Sequence, residues 1–237
     1  ATKEGITQVL ADAKAAGQKI TAFCMFNRFE ERPDMEVEWC ARVARAAREM
    51  DVPAIRIDVV PKKMSKPEFL PFAIATLRKV MAATEGTGVR FGIENHGRVT
   101  NDPEFLKPLF EGVGSDRLGL TLDTGNFYWF GHPLSKVYQL YETFAPRACH
   151  THCKSIRYPE SEREKQREIG WKYGEYHGSI CGGDIDFARV ASILRKAGYA
   201  NDLCIENESL GKLPPGEALT TLVKEVELLK KCRDGAK

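Results

Sequence analysis

Four short stretches each carry an apolar, strand-like run into a side chain that can hold a divalent metal ion. They are Val89-Arg90-Phe91-Gly92-Ile93-Glu94, Leu118-Gly119-Leu120-Thr121-Leu122-Asp123, Ala148-Cys149-His150-Thr151-His152 and Leu203-Cys204-Ile205-Glu206. Their metal-binding residues follow the chain order Glu, Asp, His, Glu. In a parallel sheet all strand C-termini lie at one end, so such side chains can converge on a single ion. Three carboxylates and an imidazole form a hard, oxygen-rich set, better suited to manganese, magnesium or cobalt than to a thiolate-bound structural zinc.

An ion held this way leaves positions for the carbonyl and hydroxyl oxygens of a substrate. It would polarise the carbonyl and stabilise an enediolate while carboxylates remove and return a carbon-bound proton. Glu94 and Glu206 are the natural acid and base pair. Glu208 lies two residues beyond Glu206 on the same strand face. Glu206 is preferred because it directly follows the apolar Leu203-Cys204-Ile205 run, which leaves Glu208 for the rim.

The elements that must position these residues are also legible. Short apolar runs alternate with longer helical patterns from end to end, the signature of repeated βα units around a parallel sheet. The runs predict six strands, at 20–26, 54–60, 89–94, 118–123, 148–154 and 203–206. Ser65-Lys66-Pro67-Glu68 reads as a capping box ahead of a helix through Phe72, Leu77 and Val80, with Gly86 as its stop. Asp102-Pro103 opens a second helix, and Asp186 caps a third that ends at Gly198. A last helix, 215–232, aligns Leu222, Val226 and Leu229 on one stripe that should pack against the sheet from outside. The 157–180 stretch is too long for a turn. It combines the charge run Glu160-Ser161-Glu162-Arg163-Glu164-Lys165 with Trp171, Tyr173, Tyr176 and His177, and reads either as a lid over an active end or as a solvated surface helix that a few aromatics pin down.

The 237 residues, 43% of them hydrophobic, suffice for one substantial core, and we expect a single globular domain over 1–237. With 35 Lys and Arg against 33 Asp and Glu, charge gives no case for nucleic acid or a membrane surface as partner. The seven cysteines are scattered, with no Cys-x-x-Cys spacing, which suits reduced thiols and a cytoplasmic setting. No apolar run is long enough to span a bilayer, and the N-terminal stretch lacks a signal-peptide core. The sequence begins at Ala1 rather than Met, as processing or shortening would leave it.

Taken in order, Ile93-Glu94-Asn95-His96-Gly97, Leu122-Asp123-Thr124-Gly125-Asn126, His150-Thr151-His152-Cys153-Lys154, Gly183-Asp184-Ile185-Asp186-Phe187, and Gly198-Tyr199 ahead of Cys204-Ile205-Glu206 resemble the xylose isomerase-like barrel superfamily. That group includes ketose 3-epimerases, hydroxypyruvate isomerase and inosose dehydratase. The resemblance implies an α/β fold, a (β/α)8 TIM barrel, in which Glu94, Asp123, His152 and Glu206 bind one divalent metal and Glu94 and Glu206 double as acid and base. Manganese is the first expectation, with magnesium, cobalt or zinc as alternatives. In the family's His-x-His pair the second histidine is the ligand, so His152 is chosen and His150 becomes a hydrogen-bonded core residue one layer deeper.

The resemblance also shows three departures. The family's first two strands have no counterpart, because 2–17 reads as the helix before the third strand. Tyr158, preceded by Arg157, stands where ketose 3-epimerases place a substrate-binding arginine. Lys154 looks more like the inosose dehydratase and generic isomerase branches. The function implied is a metal-dependent sugar isomerase or epimerase acting on a small sugar or polyol ketone, with a homo-oligomer as an open possibility. The alternatives are a lyase of the inosose dehydratase type and a non-catalytic barrel completed by a partner. The phosphodiester chemistry of endonuclease IV, a three-zinc member of the same fold, is poorly served by five histidines and no basic excess.

Other side chains have two readings each. His96 and Asn126 are suited to hydrogen-bonding substrate hydroxyls or to orienting a ligand. Lys154 and Arg157 are candidate substrate-binding cations, Lys154 as an oxyanion partner or as the mate of a carboxylate. Trp129 could stack on a sugar face, although aromatic clusters more often pack. Lys62 and Lys63 read as a solvated loop rather than a phosphate site.

Overall fold

A computed structural model describes residues 2–235. The chain divides into two compact units, Ala1–Thr121 and Leu122–Lys237. The boundary falls within a strand, and the hydrogen-bonded strand order follows the chain, β1-β2-β3-β4-β5.

The first unit alternates helix and strand: α1 (Lys3–Ala15), β1 (Ala22–Cys24), α2 (Pro33–Glu49), β2 (Ala54–Ile57), α3 (Lys66–Ala83), β3 (Arg90–Glu94), α4 (Pro103–Val113) and the larger part of β4 (Leu118–Asp123). All its strand pairs are parallel, with Cys24 opposite Arg56, Arg56 opposite Gly92 and Glu94 opposite Thr121. Every residue of β2 and β4 is buried, which is why they read as near-continuous apolar runs. On α2 the buried face is built from Cys40, Ala41, Ala44 and Ala47, side chains small enough for close helix packing. Between α3 and α4 the rings of Phe69 and Phe105 stack with centroids 6.0 Å apart. Removing each from water contributes about 1.5–3 kcal/mol.

The helix starts follow the expected chemistry. The Thr2 hydroxyl accepts from the Gly5 N–H at 3.1 Å. Ser65 donates its N–H to the Glu68 carboxylate at 3.0 Å, and Asp102 accepts from the Glu104 N–H at 2.9 Å. Asp186 accepts from Ala188 and Arg189. These bonds satisfy amides that have no partner within the helix.

The second unit holds α5 (Asn126–Trp129), α6 (Leu134–Phe144), β5 (Ala148–His152), a short hairpin of β6 (Ser155–Ile156) and β7 (His177–Gly178) that brackets α7 (Tyr173–Tyr176), then α8 (Phe187–Lys196) and α9 (Glu217–Gly235). Thr124, just past β4, donates its N–H to the His152 carbonyl at 2.9 Å, tying the β4 end to β5.

The sixth expected strand is not a strand. Residues 203–206 meet β5's extension through one parallel bridge, Cys153 to Ile205. Side chains occupy the positions a ladder would use: Asn201 Nδ2 donates to the Cys149 carbonyl at 2.9 Å, and the Thr151 hydroxyl donates to the Asp202 carbonyl at 3.0 Å. Polar residues that bond neighbouring backbone compete with regular structure in this way.

The last helix also departs from the simple apolar stripe. Leu229 is buried, but Val226 is 38% exposed, and α9 packs on α8. Glu225 is fully buried and accepts from the Ile180 N–H at 3.0 Å and Asn207 Nδ2 at 2.8 Å. All seven cysteines are free. Among the described residues no helix is long and apolar enough to cross a membrane.

Candidate metal centre

In the second unit three expected ligands come together, Asp123 and His152 at strand ends and Glu206 just past a single β-bridge. One ligand atom each from Asp123, His152 and Glu206 lies within 4.8 Å of the others. Asp123 is fully buried where β4 turns into α5. Its Oδ1 accepts from the backbone N–H groups of Gly125 and Asn126, both at 2.8 Å, which fixes the carboxylate and directs Oδ2 elsewhere. His152 Nδ1 is 3.6 Å from Glu206 Oε2. Glu206 is about one-third exposed, so of the three it is the one a solute reaches.

Lys154 completes the cluster. Its Nζ lies 3.2 Å from Asp123 Oδ2, 2.8 Å from Glu206 Oε2 and 2.7 Å from Glu208 Oε1. Burial opposes charge on this amine, but Asp123 and Glu206 outweigh it and hold the pKa well above the ordinary lysine range. The same contacts act on Glu206: burial pushes its pKa up, and Asp123, Lys154 and His152 pull it below the usual carboxylate value. The lysine stem crosses Gly125, where a Cβ would come within 2.8 Å of Lys154 Cγ, so the turn after Asp123 has room for that stem only with glycine. The Lys154 backbone is clasped as well, its N–H donating to Thr124 Oγ1 at 2.9 Å while that hydroxyl donates to the Lys154 carbonyl at 2.6 Å.

His150 sits one layer deeper, 3% exposed, with Nδ1 2.8 Å from Asp202 Oδ2 and its ring edge-on to His152 at 5.1 Å. That is the core role expected of it. Asp202 itself was not singled out from sequence. It also accepts from the Tyr199 hydroxyl at 2.9 Å and from the Thr151 N–H at 3.3 Å, so it braces the strand that presents His152.

Glu94 belongs to the first unit. It is 2% exposed and takes an ion pair from Arg56, whose Nε donates to Glu94 Oε2 at 2.5 Å. The same guanidinium donates to Asp58 Oδ2 and to the Met25 carbonyl, both at 2.8 Å. Arg56 is the partner of Glu94, and the sequence analysis did not single it out. Its signal was a charge inside an apolar run with an acid two residues on, Arg56-Ile57-Asp58, which places both on one strand face. In register it faces Gly92, whose lack of a side chain suits a bulky guanidinium.

The remaining candidates disperse. His96 is exposed, with its N–H bonded to Thr100 Oγ1. Asn126 is 5% exposed at the start of α5. Arg157 is exposed and flanks the β6–β7 hairpin beside Glu175 and His177, outside the lysine cluster. Trp129 packs against Gly170, which donates its N–H to the Trp129 carbonyl at 2.8 Å, so it serves packing. Glu30 accepts from the Lys63 and Met64 backbone N–H groups at 2.9 Å, and the Lys62 N–H joins them at 2.5 Å. That loop is therefore tied down by a carboxylate.

The 157–180 segment is neither a free flap nor a bare surface helix. Arg167, 8% exposed, lies between the Tyr128 and Tyr158 rings at 4.6 and 4.4 Å and donates to the carbonyls of His132 at 2.9 Å and Lys165 at 3.0 Å. Gly131 permits this approach, because a Cβ there would collide with the Arg167 carbonyl. At the tip, the Tyr173 hydroxyl donates to Glu208 Oε2 at 2.8 Å, which links the segment to Lys154. Arg167→Met should cost about 2–4 kcal/mol, the desolvation penalty of several stranded carbonyls. A urea midpoint shift, with faster proteolysis confined to 157–180, would show it; unchanged cleavage would deny the clamp.

Residues 1–232 match the family model described as xylose isomerase-like TIM barrel. The uncharacterized protein MJ1311 of Methanocaldococcus jannaschii is 26% identical over 147 residues, 60% of this chain and 45% of that protein, so the match spans less than half of the relative's length. Among solved structures, the IolI protein with a bound zinc atom is 21% identical, with a TM-score of 0.70 over 94% of this chain and 81% of that one. The 3-keto-D-glucoside 4-epimerase YcjR of E. coli, in apo form, is 15% identical, with a TM-score of 0.71 over 97% and 85%.

Proposed function

Because the chain belongs to the xylose isomerase-like TIM barrel family, we propose that it is a divalent-metal-dependent isomerase or epimerase of small sugars or polyol ketones, moving a proton on the carbon beside a carbonyl. The observation that carries this reading is the convergence of Asp123, His152 and Glu206. These donors suit a divalent cation: Asp123 Oδ2 and Glu206 Oε2 already face a positive charge, the Lys154 ammonium. We assign Glu94 as the fourth ligand. In support, Glu94 is in register with Thr121, and side chains on β4 repeat every two residues, so Asp123 shares that face. Zinc in the IolI protein and sugar epimerisation by YcjR are properties of those proteins that agree with the reading.

When bound, the ion would polarise a substrate carbonyl and lower the cost of charge on its oxygen. The chain's own residues do the rest. Glu206, accessible and held ionised by its neighbours, takes the proton from one face of the substrate. Glu94, in its acid form, gives a proton to the other face, and solvent takes the proton from Glu206 and replaces the one Glu94 gave. Lys154 donates to substrate oxygen, and Asp202 keeps the His150–His152 strand in place. The Lys154 ammonium also supports a second outcome, because an amine so placed can protonate a departing β-hydroxyl. A dehydrated product in place of a stereoisomer would select that lyase reading.

Elemental mass spectrometry of gently purified protein tests the centre. About one manganese, cobalt or zinc ion per chain is expected, with loss in Asp123→Asn, because the Gly125 and Asn126 N–H groups hold the amide oxygen and leave the NH2, which cannot ligate a cation, in the place of Oδ2. Three zinc ions would point to phosphodiester chemistry, and no ion in folded protein would leave a binding role only.

A further inference from the structure

The Lys154 ammonium lies on the two carboxylates that the proposed ion requires, 3.2 Å from Asp123 and 2.8 Å from Glu206. A divalent ion and an ammonium cannot share those oxygens without strong like-charge repulsion in a buried site. The lysine has one further partner that is not among the proposed ligands. Glu208 Oε1 is 2.7 Å from Nζ, and Glu208 is steadied from its other side by the Tyr173 hydroxyl. The stem is pinned against Gly125 and the backbone clasped by Thr124, so the freedom left to Lys154 is at its terminal amine.

We propose that Lys154 is a built-in counter-ion that competes with the divalent metal for Asp123 and Glu206, and that Glu208, held by Tyr173, is the berth its ammonium takes when the metal binds. This inference rests on the metal reading above. It gives the charge cluster two alternative neutralising partners, and it makes Lys154 and Glu208 positioning residues with opposite effects on metal affinity. Lys154 weakens binding by holding the ligands, whereas Glu208 strengthens it by drawing the ammonium away. In the metal-loaded protein the ammonium then rests on Glu208 alone, beside the substrate position.

Calorimetric titration with Mn²⁺ alone, no substrate present, tests this on the full chain. Lys154→Met should bind Mn²⁺ about tenfold more tightly or better, while Lys154→Arg, which keeps the charge, should stay near the wild type. Glu208→Gln should weaken binding about tenfold in the wild-type background and change it little beside Lys154→Met, the non-additivity expected of residues acting as a pair. If Lys154→Met fails to fold, Glu208→Gln and Tyr173→Phe still carry the test, since both should weaken binding. One Mn²⁺ per wild-type chain, with affinity unchanged or lower in Lys154→Met, would overturn the counter-ion role and leave the metal reading intact. No Mn²⁺ bound by wild type or by Lys154→Met would overturn both.

Discussion

Glu206→Gln should abolish incorporation of solvent deuterium into substrate, a loss of about 10²- to 10⁴-fold, the usual contribution of a positioned acid–base group. The substitution is nearly isosteric, and its amide oxygen still offers a donor to the ion, so metal content should remain near one per chain. Glu94→Gln should behave alike, because a proton removed from one face of a substrate carbon and returned from the other needs a carboxylate on each side. The two variants differ in environment. Glu206 is partly exposed and flanked by Lys154, whereas Glu94 is 2% exposed and paired with Arg56, so Glu94→Gln should also lower stability. Proton exchange at the wild-type rate in either variant would remove that residue from the acid–base pair. Loss of exchange together with loss of metal would reassign it as a ligand only.

Arg56→Met should produce the largest loss of stability in the first unit. One guanidinium, 8% exposed, serves both Glu94 and Asp58 and donates to the Met25 carbonyl. Burial already pushes the Asp58 pKa up, and Arg56 is the principal group pulling it back. Removing the cation leaves the buried Glu94 and the partly exposed Asp58 without their shared partner, and breaking a buried pair costs about 3–5 kcal/mol. Urea unfolding followed by circular dichroism would measure it. A loss below about 1 kcal/mol would mean that water or protonation replaces the arginine readily. Arg56→Lys should recover part of the loss, because it keeps the charge but cannot fork to both acids.

Strand ends were the most legible part of the site. Asp123, His152 and Glu206 were found because apolar runs stop at them, and the choice of His152 over His150 came from the family resemblance. What the sequence could not disclose was partnership. Arg56 is a lone charge within an apolar run, and only register sets it opposite Gly92, two positions from Glu94. The 203–206 run has strand composition, yet Asn201, Asp202 and Thr151 use side-chain bonds where a ladder would use backbone, and periodicity does not register that competition. The 157–180 stretch left two readings open because its charges and aromatics suit both a lid and a surface. Only the position of Arg167 between two tyrosine rings decides that it is anchored.

That anchoring bears on ligand kinetics. A loop that must order itself around an arriving molecule slows association and makes affinity hostage to the fraction of time the loop is correctly shaped. Here the Arg167 clamp and the β6–β7 hairpin order the segment during folding, and Tyr173 is the contact at its tip. Ligand exchange at this end should therefore be governed by diffusion and desolvation and not by the loop motions that limit turnover in many enzymes with closing lids.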